Sequence, residues 1–185
     1  MIYINFLINP KSKLLILGVS GSGKTTTGKV LAGHLNFSCL SSQDLIPLIQ
    51  REMKKYHNKT IEEDYKVAIN IMTNYLKKAL TNKNTKIIEG VELYYLMNES
   101  KYRKLMLKMP CIIMGRSRIL GAIKKIAIGK FFNRLQYNFS DMIKVYNEFI
   151  KERKSQKNTY IESFNLEEFI RKNFTKEYGK LYNSI

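Results

Sequence analysis

Disulfide frameworks, thiol metal sites and membrane spans all lack support in this sequence. Its two cysteines, Cys39 and Cys111, stand far apart without a C-x-x-C, and His34 and His57 do not cluster with them. Buried free thiols in a reducing compartment fit that pattern, and a zinc site does not. No apolar run approaches the ~20 residues that span a bilayer. The opening MIYINFLINP is apolar but has neither a basic leader nor a small-residue cleavage site. It reads as an extra strand or a packed arm rather than a signal peptide. A cytoplasmic protein is expected.

Acidic residues are few beside basic ones. The chain of 185 residues has 32 Lys and Arg against 15 Asp and Glu, a net charge of +17. The imbalance is local: residues 101–150 hold eleven basic and two acidic residues, and no acidic residue lies between Ser100 and Ser140. A/T-rich coding would explain many lysines, but not the loss of acids from one segment. A polyanion partner, DNA or RNA through the basic residues 101–134, is therefore one expectation.

What is present is organised around Gly18–Thr25, GVSGSGKT, which matches the phosphate-loop pattern G-x-x-x-x-G-K-[ST] at every fixed position. The apolar run Leu14–Leu17 precedes it as a buried strand would. Val30, Leu31, His34 and Leu35 follow at helical spacing. Strand, glycine loop and helix N-terminus make an anion site in which backbone N–H groups and the helix dipole face phosphate. A bound nucleoside triphosphate, with ATP and Mg²⁺ as the expected cofactors, follows. Gly18, Ser20, Gly21, Ser22, Gly23, Lys24, Thr25 and Thr26 are the candidate binding set. Lys24 is placed to bridge the β- and γ-phosphates, the Thr25 hydroxyl to ligate the metal, and Thr26 to reach the α-phosphate.

Further strands are expected at Phe37–Leu40, Lys86–Ile88, Cys111–Met114 and Thr159–Phe164. Between them, Leu45–Met53, a capped amphipathic stretch from Thr60 to Leu80, residues 92–108, a segment from Ser140 and a last one from Asn165 read as helices. Five strands alternating with helices predict a single α/β domain over 1–185: a three-layer fold with a parallel five-stranded sheet and helices on both faces. Residues 115–137 are a candidate basic lid. In such sheets the ligand lies beyond the carboxyl ends of the strands. Asp44 and Glu89 then become the candidate carboxylates, Glu89 also as a metal ligand. The alternatives are a helix cap for Asp44 and an exposed turn for Glu89.

The loop, the Asp after the second strand and the acidic residue with Gly after the third together resemble the small P-loop kinases. That group includes nucleoside monophosphate, gluconate, shikimate, uridine and polynucleotide 5′-kinases. The resemblance implies a basic lid closing over ATP, where Arg116, Arg118, Lys124, Lys125 and Arg134 fall. Lys24, Asp44, Glu89, Arg116 and Arg118 are then the candidate catalytic residues, and Arg134 joins the nucleotide-binding set. One departure narrows the acceptor. Adenylate-kinase-type enzymes carry an Asp-Gly-Phe-Pro-Arg run after the third strand, whereas here it is Glu89-Gly90-Val91-Glu92-Leu93. Without the Arg, and with a second carboxylate, a hydroxyl acceptor is favoured over a monophosphate. A hydroxyl must lose a proton, and Asp44 is the candidate base. A small nucleoside, nucleotide or related acceptor is expected. Alternatives are a nucleic-acid kinase, a nucleotide-dependent switch, and an interfacial membrane helix at Ile119–Phe132.

Overall fold

The computed structural model of the chain describes residues 13–18, 22–54, 61–114, 139–156 and 160–162. The candidate lid, Ser20, Gly21, Arg116, Arg118, Arg134, Thr60 and the expected last helix lie outside them.

Five short strands, β1 (Leu14–Leu17), β2 (Cys39–Ser41), β3 (Ile87–Glu89), β4 (Cys111–Ile113) and β5 (Tyr160–Glu162), form one sheet in the order β2-β3-β1-β4-β5. Every pairing is parallel. A parallel sheet is covered on both faces, so its central strands read as continuous aliphatic runs rather than alternating ones. β1, LLIL, is buried at all four positions. The pleat divides those side chains between two cores. Leu15, Leu17, Ile88, Cys111 and Ile113 enter one; Leu14, Ile16, Ile87, Ile112 and Met114 enter the other.

The second core is closed by α1 (Lys24–Leu35), through Leu31 with Val30, Ala32 and Leu35 at its edge. The larger core receives α3 (Ile61–Thr81), α4 (Leu93–Met97), α5 (Ser100–Leu107) and α6 (Phe139–Ser155). A 3-10 turn, Ser42–Leu45, leads from β2 into α2 (Ile46–Met53), which keeps Pro47 in its first turn, where no amide donor is required. Tyr75 ties α3 to α2 through a 3.3 Å hydrogen bond to the Glu52 carboxylate.

Several expected boundaries move. β2 begins two residues later than its apolar run and ends on Ser41, while β3 extends through Glu89. Both shifts follow from register, because Ser41 pairs with Glu89, which pairs with Ile16. The helix expected over 92–108 is two helices, α4 and α5, with Glu99 extended between them. In one continuous helix the buried pair Met106 and Leu107 would point about 110° away from the face of α4, so the break brings both into the same core.

α6 holds the back of this arrangement through three side chains on one face, Tyr146, Phe149 and Arg153. The Arg153 guanidinium is fully buried and donates to the carbonyls of Met106, at 2.7 Å, and Met109. Its central carbon lies 5.4 Å from the Phe149 ring centroid. Burial makes the charge less favourable, and these contacts compensate. Arg153→Ala is therefore expected to cost about 3 kcal/mol of folding stability, and Arg153→Lys, which lacks the planar fork, to recover only part of it. Urea denaturation midpoints measure both; an Ala variant as stable as the parent would remove Arg153 from this role.

Candidate functional site

β1 delivers the chain to Gly18, whose φ of 151° belongs to the region that favours glycine. A Cβ there would come within 2.8 Å of Ser22 Oγ and 3.0 Å of Met114 Cβ. The chain re-enters the described residues at buried Ser22, and Gly23 takes the left-handed conformation as the N-cap of α1. Thr27 N–H donates to the Gly23 carbonyl at 2.9 Å, closing the first turn. No acidic residue lies within that turn, whose amides carry a partial positive charge. Thr26 is partly buried on the same turn.

Lys24, only 6% exposed, opens the helix. Its pKa is lowered from 10.5, first by burial, against the attraction of Glu89 and then Glu92. Next to it the Thr25 hydroxyl donates to Glu89 Oε1 at 2.8 Å, and the Ser41 hydroxyl donates to the same oxygen. Glu89 is 1% exposed at the last position of β3. The exposed-turn alternative for it is thereby excluded. Lys24, Thr25, Ser41 and Glu89 thus meet at the carboxyl ends of β1, β2 and β3.

Asp44 sits apart from this cluster. Its side chain is 49% exposed on the 3-10 turn, with Oδ1 3.7 Å from the Lys29 ammonium. Ser41 rather than Asp44 caps that turn, accepting from Gln43 N–H at 3.2 Å. So exposed a pair contributes little to stability. Asp44 still lies near the cluster electrostatically. The Cys39 thiol is pushed up to about 12 by burial, then by Glu89 and Asp44, against the pull of Lys29. Cys111 is likewise raised to about 12, by burial. Neither cysteine is a reactive thiolate.

Nothing in the residue spacing marks out Ser41 or Tyr146, whereas Glu92 is the second carboxylate expected after the third strand. Glu92 is buried in the turn after β3, and the Gly90 backbone makes room for it. A Cβ on Gly90 would lie 3.2 Å from Glu92 Oε2 and 2.8 Å from Ser42 Cβ. A three-residue interval from Glu89 is the one sequence cue to Glu92. Among the described residues no group of three or more His, Cys, Asp or Glu gathers to hold a metal. No described helix is long and apolar enough to cross a membrane. Part of the basic stretch serves the fold: Arg103 pairs with Glu152 at 2.7 Å.

The chain has the fold of the small P-loop kinases. Its structure is similar to shikimate kinase from Acinetobacter baumannii, solved in complex with shikimate, with a TM-score of 0.50 and 16% identity over 94% of this chain and 95% of that one. A solved kinase candidate from Chloroflexus aurantiacus gives a TM-score of 0.38 and 19% identity over 65% of this chain and 71% of that one, and carries no argument. No protein-family model matches the sequence. No curated protein matches it either.

The electrostatics of Lys24 give the fold a pH dependence. A lysine with a folded pKa below its unfolded value burdens the fold at neutral pH. That burden lifts as pH rises through the folded pKa toward 10.5. The parent should therefore gain stability relative to Lys24→Met as pH rises from 7 toward 10. Thermal melts of both proteins across that range test this; a difference that does not change with pH would contradict it.

Proposed function

We propose that the protein is a kinase that uses ATP and Mg²⁺ to phosphorylate a hydroxyl of a small molecule, of nucleoside, nucleotide or related type. The observation that carries this reading is the Thr25–Glu89 contact of 2.8 Å beside the buried Lys24, at the mouth of the glycine turn. The donor set fits the cofactors. Hydroxyl and carboxylate oxygens suit a hard cation whose remaining ligands are waters and phosphate oxygens. Mg²⁺ held there supplies charge neutralisation of the β- and γ-phosphates. The solved neighbour, a kinase in complex with the hydroxyl-bearing shikimate, supports an acceptor of that kind.

The residues divide the work in the following way. Lys24 binds phosphate oxygens and offsets the charge that develops as the γ-phosphoryl group moves. Amide groups at the start of α1 orient the phosphate chain. Thr25 and Glu89 would hold the metal, and Ser41 donates to the carboxylate. Asp44, at the rim, accepts the proton of the acceptor hydroxyl. The freed oxygen forms the new bond to γ-phosphorus as the bond from that phosphorus to the bridging oxygen breaks, releasing ADP. Arg116, Arg118 and Arg134 complete the proposal as lid cations over the transferred group.

γ-Labelled ATP offered with nucleosides, nucleotides, sugar and carbocyclic alcohols, and oligonucleotides tests the reading. Label should enter a small hydroxyl acceptor, and Lys24→Ala should abolish it. Full transfer by that variant would sink the assignment, and label entering only oligonucleotides would move the acceptor to a polymer. Asp44→Asn should slow the chemical step roughly a hundredfold while Kd for Mg-ATP stays near the parent value. An unchanged rate would leave Asp44 as no more than the surface partner of Lys29.

A further inference from the structure

The two ends of the parallel sheet differ in charge. Asp44, Glu89, Glu92 and Glu162 lie at or past the carboxyl ends of strands, the end at which Lys24 and Thr25 also lie. The segments that lead into the strands carry the opposite sign. Lys13 precedes β1, Lys83 and Lys86 precede β3, Lys108 precedes β4, and Lys154 stands at the end of α6. Among the described residues, none of these entrances contains an acid, and neither does 36–38 before β2. At the start of α5 and near the end of α6, Glu99 and Glu152 are already paired with Lys77 and Arg103, at 2.8 and 2.7 Å. Lys83, Lys104, Lys108 and Lys154 are exposed.

We propose that this amino end of the sheet, opposite the glycine turn, is a nucleic-acid-binding surface on which Lys83, Lys86, Lys104, Lys108 and Lys154 contact the phosphodiester backbone. Lysines in the last turn of a helix offset its dipole, which accounts for Lys104 and Lys154. It leaves Lys13, Lys83 and Lys86, which lie in no helix. Leu14 pairs with Ile87, so Lys13 and Lys86 are neighbours on adjacent strands, where like charges repel. An anion lying across them relieves that repulsion. Lys13 is committed to the turn before β3, donating to the carbonyls of Asn82 and of Thr85, the latter at 2.6 Å. The Ser38 hydroxyl donates to the Asn84 carbonyl, and Asn84 N–H donates to Asn82 Oδ1 at 2.8 Å. Asn82, Lys83 and Asn84 are exposed all the same. A turn fixed in this way, with Lys83 at its middle, presents a cation on backbone that need not be ordered on binding. Nucleic acid suits the surface better than a membrane does. Among the described residues the large exposed apolar side chain is Ile46, which starts α2 beyond the carboxyl end of β2, so the amino end has no apolar wedge to insert into lipid.

The test compares the parent with a variant combining Lys83→Gln, Lys104→Gln and Lys108→Gln. A control variant changes the exposed Lys54, Lys66 and Lys144 to Gln and so carries the same net charge. Binding of a fluorescein-labelled single-stranded oligonucleotide of mixed sequence is followed by anisotropy across a range of salt concentrations. The parent should bind, with an affinity that falls steeply as salt rises. The amino-end variant should lose about two to three units of the log–log salt slope, close to one for each phosphate contact removed. The control should keep the parent slope. Equal losses in both variants would overturn the proposal, since net charge alone would then be responsible. No binding by the parent at low salt would overturn it too, as would binding only to phosphatidylserine vesicles. Displacement of the oligonucleotide by Mg-ATP at constant ionic strength would also overturn it, by placing the polymer at the phosphate loop.

Discussion

A buried carboxylate at the end of a central strand is the constraint around which this molecule is arranged. Taking an ionised group out of water is unfavourable unless it is hydrogen-bonded and paired. Glu89 meets both conditions by drawing on two other elements. Thr25 and the attracting Lys24 come from the start of α1, and Ser41 from the end of β2. The sheet register that levels Ile16, Ser41 and Glu89 makes this possible. A one-residue slip of β3 would turn the carboxylate into the opposite core, so the site and the sheet specify each other.

The support behind the site comes from α6, and its geometry is a matter of rise. Tyr146 and Arg153 are seven residues apart, about 10 Å along a helix, which matches roughly three residues of a strand. Tyr146 accordingly reaches the Val91 carbonyl, just past the carboxyl end of β3, while Arg153 reaches the Met106 and Met109 carbonyls just before β4 begins. The helix runs against the strands, as a crossover in a parallel sheet must. It clamps both ends of the layer with directional contacts, and Phe149 fills the space between them.

How much of this was readable without coordinates follows from the range of each interaction. The phosphate loop is legible because its chemistry lies within eight consecutive residues, and β1, β3 and β4 because buried parallel strands need uninterrupted aliphatic runs. The position of Glu89 is legible for the same reason, being the first charge after Ile87 and Ile88. Ser41 and Tyr146 are not, since a serine after a strand and a tyrosine on an apolar helix face each have an ordinary local explanation. Their role exists only once β2, β3 and α6 are brought together. The break between α4 and α5 is hidden similarly, because either half alone is a plausible helix and only the shared core requires the change of direction. Asp44 is the instructive middle case. Its place after β2 was legible, but its exposure and its pairing with Lys29 depend on how α1 lies across the strand.

The charge balance of the site bears on what it can hold. Lys24 contributes one positive charge, the start of α1 about half of one, and Glu89 and Glu92 two negative ones. Lys29 and Asp44 cancel at the rim. A phosphate chain entering this space meets a cradle shaped for anions but close to neutral, or slightly negative, at short range. At short separation inside a protein, each uncompensated like-charge contact costs several kcal/mol. On the proposed reading, the second carboxylate adds to the charge that the divalent cation and the lid arginines offset together with Lys24. The same imbalance acts against a second phosphate group arriving beside Gly90. On that same reading the two carboxylates select on the acceptor side as they tune the donor side, and a hydroxyl, neutral until it reacts, is the group they would admit.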